Sequence, residues 1–248
     1  MFVHYRTQGF ILKKEDRGEA DQLFTIYTKD FGKLEILGKA IRKISSKLRS
    51  GAELFYLSEI EFIQGKAHKT LTDAIVIEKH KNIRQNLEKL KVAYQIAEVL
   101  DELVSGQEKD EKIWELLNEV FEKLKIENSL NPALLQKGGG KLEIIYYYFL
   151  WNLLSILGYQ IDLYHCLDCQ KKLLPGKLYF KPEPGIICEK CAGKVKYKKE
   201  ISSDVIKILR LFLNKNWNTL SRLKITDVYE KSLKKISENY FSYYKKDE

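Results

Sequence analysis

Two pairs of cysteines constrain the fold of this chain more than any other feature of its sequence. Each pair has the spacing C-x2-C, and 18 residues separate Cys166-Leu-Asp-Cys169 from Cys188-Glu-Lys-Cys191. Four thiolates in two such pairs can surround one Zn²⁺ as a tetrahedron, and the closed shell leaves no open position for a substrate. The chain has 4 cysteines in all. The pattern therefore predicts one structural zinc, held by Cys166, Cys169, Cys188 and Cys191.

The ends and the apolar segments of the chain argue against secretion and against membrane insertion. The first residues have no apolar region of a secretory signal. The longest apolar run, residues 142–157, contains Glu143, Asn152 and Ser155 and is shorter than the about 20 residues of a membrane span. We therefore expect a cytoplasmic protein without membrane contact, in which 142–157 is a buried helix. Cytoplasmic cysteines rarely form disulfides and more often bind metal.

The first 80 residues have the alternating apolar pattern of β-strands. Turn residues separate five short segments, and we predict strands at 3–13, 22–28, 33–38, 53–63 and 70–77. Five short strands in about 80 residues are typical of a small closed barrel.

After residue 80 the apolar residues recur at three- and four-residue steps, which is the period of a helix. Helices are predicted within 83–103, 113–124 and 142–157, and the same period resumes after the cysteines within 205–212 and 228–240. Because helical sequence lies on both sides of the cysteines, we predict that the metal module is an insertion in one helical domain.

The charge of the chain favours an anionic partner. The formal net charge is +9, and it is unevenly placed: residues 1–80 carry +3, residues 81–164 carry −3 and residues 165–248 carry +9. Residues 171–199 contain nine lysines against Glu183 and Glu189. These lysines either keep a small module soluble or contact nucleic acid, and the sequence leaves both interpretations open.

A second basic cluster lies between the third and fourth predicted strands. No acidic residue occurs between Glu35 and Glu53, and three serines are interleaved with the cations. Basic groups neutralise phosphates, and serine hydroxyls donate to phosphate oxygens. The cluster lies beside the barrel face that small barrels of this kind use for single strands. We predict that its basic residues bind DNA, although a solvated face is the alternative: Lys39, Arg42, Lys43, Lys47 and Arg49.

The sequence contains no recognisable catalytic motif. Neither G-x-S-x-G nor H-E-x-x-H occurs, and the glycine-rich residues 137–141 lack the first glycine and the hydroxyl residue of a phosphate-binding loop. We therefore expect a protein that is not an enzyme. A protein-interaction scaffold, with a structural zinc and incidental nucleic-acid affinity, is the alternative to a DNA-binding protein.

The order of these features resembles that of the RecO family of bacterial DNA repair and recombination mediators. The resemblance covers nearly the whole chain and depends on motifs in the barrel and around the cysteines. In the barrel these are Thr7-Gln-Gly-Phe-Ile-Leu12, Arg17-Gly-Glu-Ala-Asp21, Phe31-Gly-Lys33 and Gly38-Lys39-Ala-Ile-Arg42-Lys43. Around the cysteines they are Leu157-Gly-Tyr159, Tyr179-Phe180 and Pro184-Gly185.

The resemblance implies an α+β multidomain architecture. A five-stranded OB-fold barrel at 1–80 would be followed by an all-helical domain at 81–248, with the four-cysteine zinc module inserted at about 163–200. It also implies that the protein binds single-stranded DNA, double-stranded DNA more weakly, RecR, and the acidic C-terminal tail of the single-strand-binding protein. It would anneal strands and help to load RecA in the RecF pathway, and associate with the nucleoid during repair.

Overall fold

The computed structural model describes residues 3–126, 140–181, 185–223 and 225–245. The glycine-rich residues 137–139 and Pro184 lie outside the described residues. The chain divides into two compact units, Met1–Asn131 and Pro132–Glu248.

The first unit contains the predicted five-stranded barrel, which the structure confirms. Its strands are β1 (His4–Arg17), β2 (Asp21–Thr28), β3 (Gly32–Gly38), β4 (Leu57–Gln64) and β5 (Lys69–Glu78). They close in the order β1-β2-β3-β5-β4, as in the OB fold. Neighbouring strands are antiparallel except β3 and β5, which pair in parallel through Ile36 with Lys69 and Leu37 with Thr70.

Two predicted strand boundaries were wrong. We predicted the fourth strand from residue 53, but β4 begins at Leu57, because Phe55 has a left-handed backbone (φ 61°) that interrupts an extended chain. The Phe55 N–H donates to the Ile11 carbonyl at 2.8 Å, and the Phe55 ring is buried. The first strand extends to Arg17 instead of 13, because Arg17 still pairs with Asp21 across the hairpin.

Three helices follow the barrel in the same compact unit: α1 (Lys81–Arg84), α2 (Leu87–Leu103) and α3 (Glu111–Ile126). Helix α3 contacts the outside of the barrel through aromatic rings, since the ring centroid of Phe10 lies 5.4 Å from that of Trp114 and 4.9 Å from that of Phe121. The Lys33 ammonium on β3 donates to the Asp101 carboxylate at 3.0 Å. The compact unit thus extends past residue 80, and the domain division at 80 stays a prediction.

The second unit is built around one very apolar helix. Its helices are α4 (Gly140–Ile156), α5 (Glu189–Ala192), α6 (Ser203–Leu213), α7 (Trp217–Leu220) and α8 (Asp227–Tyr244). Its strands are β6 (Leu178–Lys181), β7 (Gly185–Cys188) and β8 (Lys199–Ile201). They form a sheet in the order β7-β6-β8. Helix α4 contacts α6 and α8. The sheet and α5 therefore interrupt the sequence between helices that pack together.

Helix α4 is buried as predicted, and its polar groups are satisfied. The Trp151 ring stacks on Tyr240 with centroids 4.5 Å apart, and its indole N–H donates to Ser237 Oγ at 2.9 Å. The Asn152 amide donates to the carbonyls of Tyr148 and Phe212 at 2.8 and 3.0 Å. Within the described ranges of the chain, no helix is long and apolar enough to cross a membrane.

The buried His80 makes the stability of the first unit depend on pH. His80 Nδ1 lies 2.8 Å from the Phe55 carbonyl oxygen, and the imidazole packs against the rings of Phe10 and Phe121. Burial lowers the pKa of His80 below its ordinary value of 6.5. The His80 imidazole therefore binds a proton more readily in the unfolded chain than in the folded unit. The free energy of unfolding should fall as the pH decreases below about 6.5.

We predict that His80→Asn removes part of this pH dependence. Asn tolerates the left-handed backbone at this position (φ 46°) and does not titrate. The variant should be less stable than the parent at about pH 7.5, with a smaller further loss at about pH 5.5. Urea unfolding at both pH values measures the difference. His68→Asn changes an exposed histidine and is the control; an equal pH dependence in His80→Asn and the parent would contradict the prediction.

Candidate metal centre and nucleic-acid interface

The four cysteines lie together in the second unit. Their sulfur atoms are all within 4.8 Å of one another, and the Sγ atoms of Cys169 and Cys188 are 3.9 Å apart. A tetrahedral zinc with Zn–S bonds of about 2.3 Å has sulfurs about 3.8 Å apart. The cysteines are free thiols. The geometry is thus compatible with one tetrahedral metal ion.

Backbone hydrogen bonds bring the two cysteine pairs together. The first pair lies on the loop before β6, and the Leu167 N–H on this loop donates to the Ile186 carbonyl of β7 at 2.8 Å. Strand β7 ends at Cys188, and Cys191 follows in α5. A side chain at Gly185 would place its Cβ only 2.3 Å from Leu167 Cδ2. Glycine at this position therefore lets the first loop lie directly on β7.

The protein itself favours ionisation at one of the sulfurs. Burial opposes ionisation of Cys166, but the backbone N–H groups of Cys169 and Cys188 outweigh it and lower the pKa of Cys166 to about 6. Burial and hydrogen bonding with the neighbouring thiols raise the pKa of Cys191 to about 12. Four thiolates held this close repel one another, so a cation among them is the natural source of compensating charge.

The predicted DNA-binding loop runs from β3 to β4 and is anchored by apolar side chains. Ile41 is buried in the barrel core, and Leu48 packs against the same core. The Ala40 N–H donates to Asp21 Oδ1 at 2.7 Å, and the Arg42 N–H donates to the Ala20 carbonyl at 3.0 Å. These bonds connect the loop to the turn between β1 and β2.

The anchoring leaves all five predicted basic residues exposed on the loop: Lys39, Arg42, Lys43, Lys47 and Arg49. The Arg42 guanidinium lies 3.3 Å from the Asp16 carboxylate and donates to the Gly18 carbonyl at 3.3 Å. The other four have no carboxylate of a described residue within 4.0 Å. Ile44, between Lys43 and Ser45, is 97% exposed. Sequence reasoning missed this residue because an apolar residue in a basic run gives no sign of which way it points.

A groove of about 710 Å³ lies on the β2–β3 face of the barrel. It extends from the β1–β2 turn to the β4–β5 turn, the region with which OB folds bind single strands. Its lining includes Arg17 and Lys69, but also Asp21 and Glu35. Sequence reasoning did not group Arg17 with Lys69, because their cations are isolated in the sequence and only barrel closure brings them to one groove.

Most aromatic rings of the barrel strands and of the segment before β4 are buried, either in the barrel core or against the neighbouring helices. The rings of Phe10, Phe24, Tyr27, Phe55 and Phe62 are buried. The half-buried Tyr5 stacks on Phe62 with centroids 5.3 Å apart. The barrel therefore offers charge to a ligand and little aromatic surface.

The lysines near the cysteines divide into two groups. Lys181 pairs with Asp168 at 3.0 Å, and Lys198 donates to the Ala192 carbonyl and lies 5.5 Å from the centre of the Tyr179 ring. The others are exposed: Lys171, Lys172, Lys177, Lys190, Lys194, Lys196 and Lys199. Some of the charge thus has a local structural use, and the larger part faces solvent.

Comparison with known proteins connects both units to one family. The N-terminal part of the family described as recombination protein O matches residues 1–80, and its C-terminal part matches residues 84–246. The DNA repair protein RecO of Dehalococcoides mccartyi is 31% identical over 222 residues, 89% of this chain and 83% of that protein. The RecO protein of Moorella thermoacetica is 31% identical over 242 residues, which cover 97% of this chain and 86% of that protein.

We predict that Asp21→Ala loosens the basic loop. The substitution removes the acceptor of the Ala40 N–H, and loss of a hydrogen bond to a charged group corresponds to about tenfold faster opening. Amide hydrogen exchange of residues 40–46 should accelerate accordingly. Asp16→Ala removes the same charge beside Arg42 but leaves the backbone bond intact, so it is the control. Equal exchange in the two variants would show that Asp21 does not hold the loop.

Proposed function

Because the chain belongs to the RecO family of DNA repair proteins, we propose that it is a non-catalytic mediator that binds single-stranded DNA and anneals complementary strands. The exposed basic loop of the barrel is the observation that supports this proposal most directly. Four of its five cations have no carboxylate partner among the described residues, and they lie on a loop that contacts the β1–β2 turn. Phosphates are the ligands that such cations bind by releasing counterions.

Annealing requires that two polyanions approach each other. In our proposal the barrel loop binds the phosphates of one strand, and the lysines around the cysteine cluster bind those of another. Neutralising charge on both strands lowers their repulsion, and the effect does not depend on sequence. The family resemblance implies that double-stranded DNA also binds, but more weakly than single-stranded DNA.

The family resemblance supplies the proposed protein partners. They are RecR, the acidic C-terminal tail of the single-strand-binding protein and, indirectly, the recombinase RecA, which a RecO protein helps to load. An acidic tail is attracted to the same basic surfaces that attract DNA. In our proposal the tail and the strand compete for these basic surfaces, and no chemical step is required of the protein.

We further propose that one structural Zn²⁺ is held by Cys166, Cys169, Cys188 and Cys191. The fit of the four sulfurs to a tetrahedron supports this assignment. Zinc would supply a tetrahedral crosslink between the loop before β6 and the end of β7. Four thiolates and one Zn²⁺ together carry −2, so the surrounding lysines keep the module positive after metal binding.

We predict that Arg42→Glu with Lys43→Glu weakens binding of single-stranded DNA and flattens its salt dependence. Each lost phosphate contact removes about 0.7 from the slope of log K against log salt, so the pair should remove about 1.4. Fluorescence anisotropy with an oligothymidylate, over a series of salt concentrations, measures both quantities.

The matched control for this variant is Lys81→Glu with Lys112→Glu. These lysines are exposed on α1 and α3, so the control changes the net charge equally without touching the loop. Equal loss of affinity in both variants would mean that diffuse charge, and not the loop, binds the strand. No binding by the parent protein at near-physiological salt would instead favour the scaffold alternative.

We predict that Cys188→Ser loses the metal and destabilises the second unit. The parent protein should contain about one zinc per chain, and the variant should contain much less and melt at a lower temperature. Elemental analysis and calorimetry measure the two effects. His165→Ala is the control, because His165 adjoins Cys166 but pairs with Asp162 at 3.0 Å. A Cys188→Ser protein with full zinc and native melting would refute the site.

Annealing is tested with complementary strands coated by single-strand-binding protein. The parent protein should accelerate duplex formation, and the variant with Arg42 and Lys43 reversed should do so less. Binding to naked strands without any acceleration on coated strands would contradict the mediator function while leaving DNA binding intact.

A further inference from the structure

A groove in the second unit has a chemistry that the barrel lacks. Its volume is about 580 Å³, and it lies among β6, the segment before β8 and the C-terminal part of α8. The residues that line it include Phe180, Lys196, Tyr197, Lys199 and Tyr243. Lysines and tyrosines dominate this set, and no acidic residue of the described chain is among the lining.

The tyrosines of the groove present aromatic surface to solvent. Tyr197 is 70% exposed and Tyr243 is 53% exposed. Neither ring is part of the buried core, in contrast to Phe180, which is only 3% exposed at the floor of the groove. Two exposed aromatic rings in one groove offer a surface on which planar ligands can stack.

The cations of the groove lie next to these rings. The Lys196 ammonium is 5.6 Å from the centre of the Tyr197 ring, and Lys199 is exposed at the start of β8. Lys181 is neutralised by Asp168, so the free positive charge is concentrated along residues 196–199. Asn239 and Ser242 add hydrogen-bonding groups from α8.

We infer that this groove is a second binding surface for single-stranded DNA, in which bases stack on Tyr197 and Tyr243 while Lys196 and Lys199 contact phosphates. A charged groove combined with exposed aromatic rings is the arrangement that binds single strands without sequence preference. The inference rests on the proposed function for the choice of DNA as the ligand. It assigns the stacking to the second unit, since the barrel's aromatic rings are mostly buried.

An acidic peptide is the competing ligand, because it would be attracted by the same lysines. Its apolar side chains would need a concave apolar pocket, whereas the apolar floor at Phe180 is covered. The exposed rings instead offer flat faces with a hydroxyl at the rim, which suit planar bases. The groove therefore favours a nucleic acid over a peptide.

Photo-crosslinking of the full-length protein tests the location directly. A single strand containing bromodeoxyuridine is irradiated in the complex, and the crosslinked peptides are identified by mass spectrometry. Peptides that contain Tyr197 or Tyr243 are expected. Crosslinks confined to residues of the barrel would overturn the inference, while leaving the proposed DNA binding by the barrel loop in place.

Affinity measurements test the role of the rings. Tyr197→Ala with Tyr243→Ala should lower affinity for a fluorescein-labelled oligothymidylate about 30-fold or more, because each of two stacked bases loses its platform. Tyr197→Phe with Tyr243→Phe retains the rings and should keep most of the affinity. Both variants should retain the zinc content and melting temperature of the parent, since the two side chains are largely exposed. Equal affinity of the Ala variant and the parent would refute the stacking role.

A charge control separates this groove from general electrostatic attraction. Lys196→Gln with Lys199→Gln should weaken binding more than Lys207→Gln with Lys215→Gln, which removes the same charge from exposed positions outside the groove. Equal losses would overturn the assignment of a local site. A fluorescent peptide of aspartate and phenylalanine residues provides the last comparison: if the Tyr→Ala variant loses the peptide but keeps the strand, the groove is a peptide site and the inference is wrong.

Discussion

The barrel is closed by the first strand, which pairs with β2 along one edge and with β4 along the other. Closure places the β1–β2 turn, the loop after β3 and the β4–β5 turn around the β2–β3 face. The pairing of β2 with β3 brings Ala20 and Asp21 beside the start of the basic loop, where they accept from its two backbone N–H donors. Without closure the loop cations would have no fixed position relative to the groove that contains Arg17 and Lys69.

The second unit is organised around an apolar helix instead of a barrel. Helix α4 is apolar on nearly all sides and is covered by α6 and α8, which follow it only after the cysteine segment. A small sheet of four-, four- and three-residue strands has little core of its own. Short strands of this kind need a staple, and the four clustered sulfurs are placed where a metal ion would supply one.

Charge and aromatic surface are divided between the two units. The first unit buries most aromatic side chains of the barrel, in the barrel core or against its helices, and leaves cations on a loop, whereas the second unit exposes both lysines and tyrosines. Phosphate contacts bind any strand, and stacking distinguishes open bases from paired ones. A protein that holds single strands before they pair would use both phosphate contacts and base stacking. The proposed second surface provides the stacking that the barrel lacks.

The sequence alone was sufficient for the features that depend on local pattern. The barrel, the buried α4 and the cysteine cluster were predicted because strand alternation, helical period and C-x2-C spacing are short-range signals. The bend at Phe55 was missed, since its buried ring continues an apolar pattern while its backbone turns. The same limit applies to the groove of Tyr197 and Tyr243, which are distant in sequence and look like core residues. Only tertiary packing decided which rings are buried and which cations share a surface, because burial depends on neighbours that the local sequence does not specify.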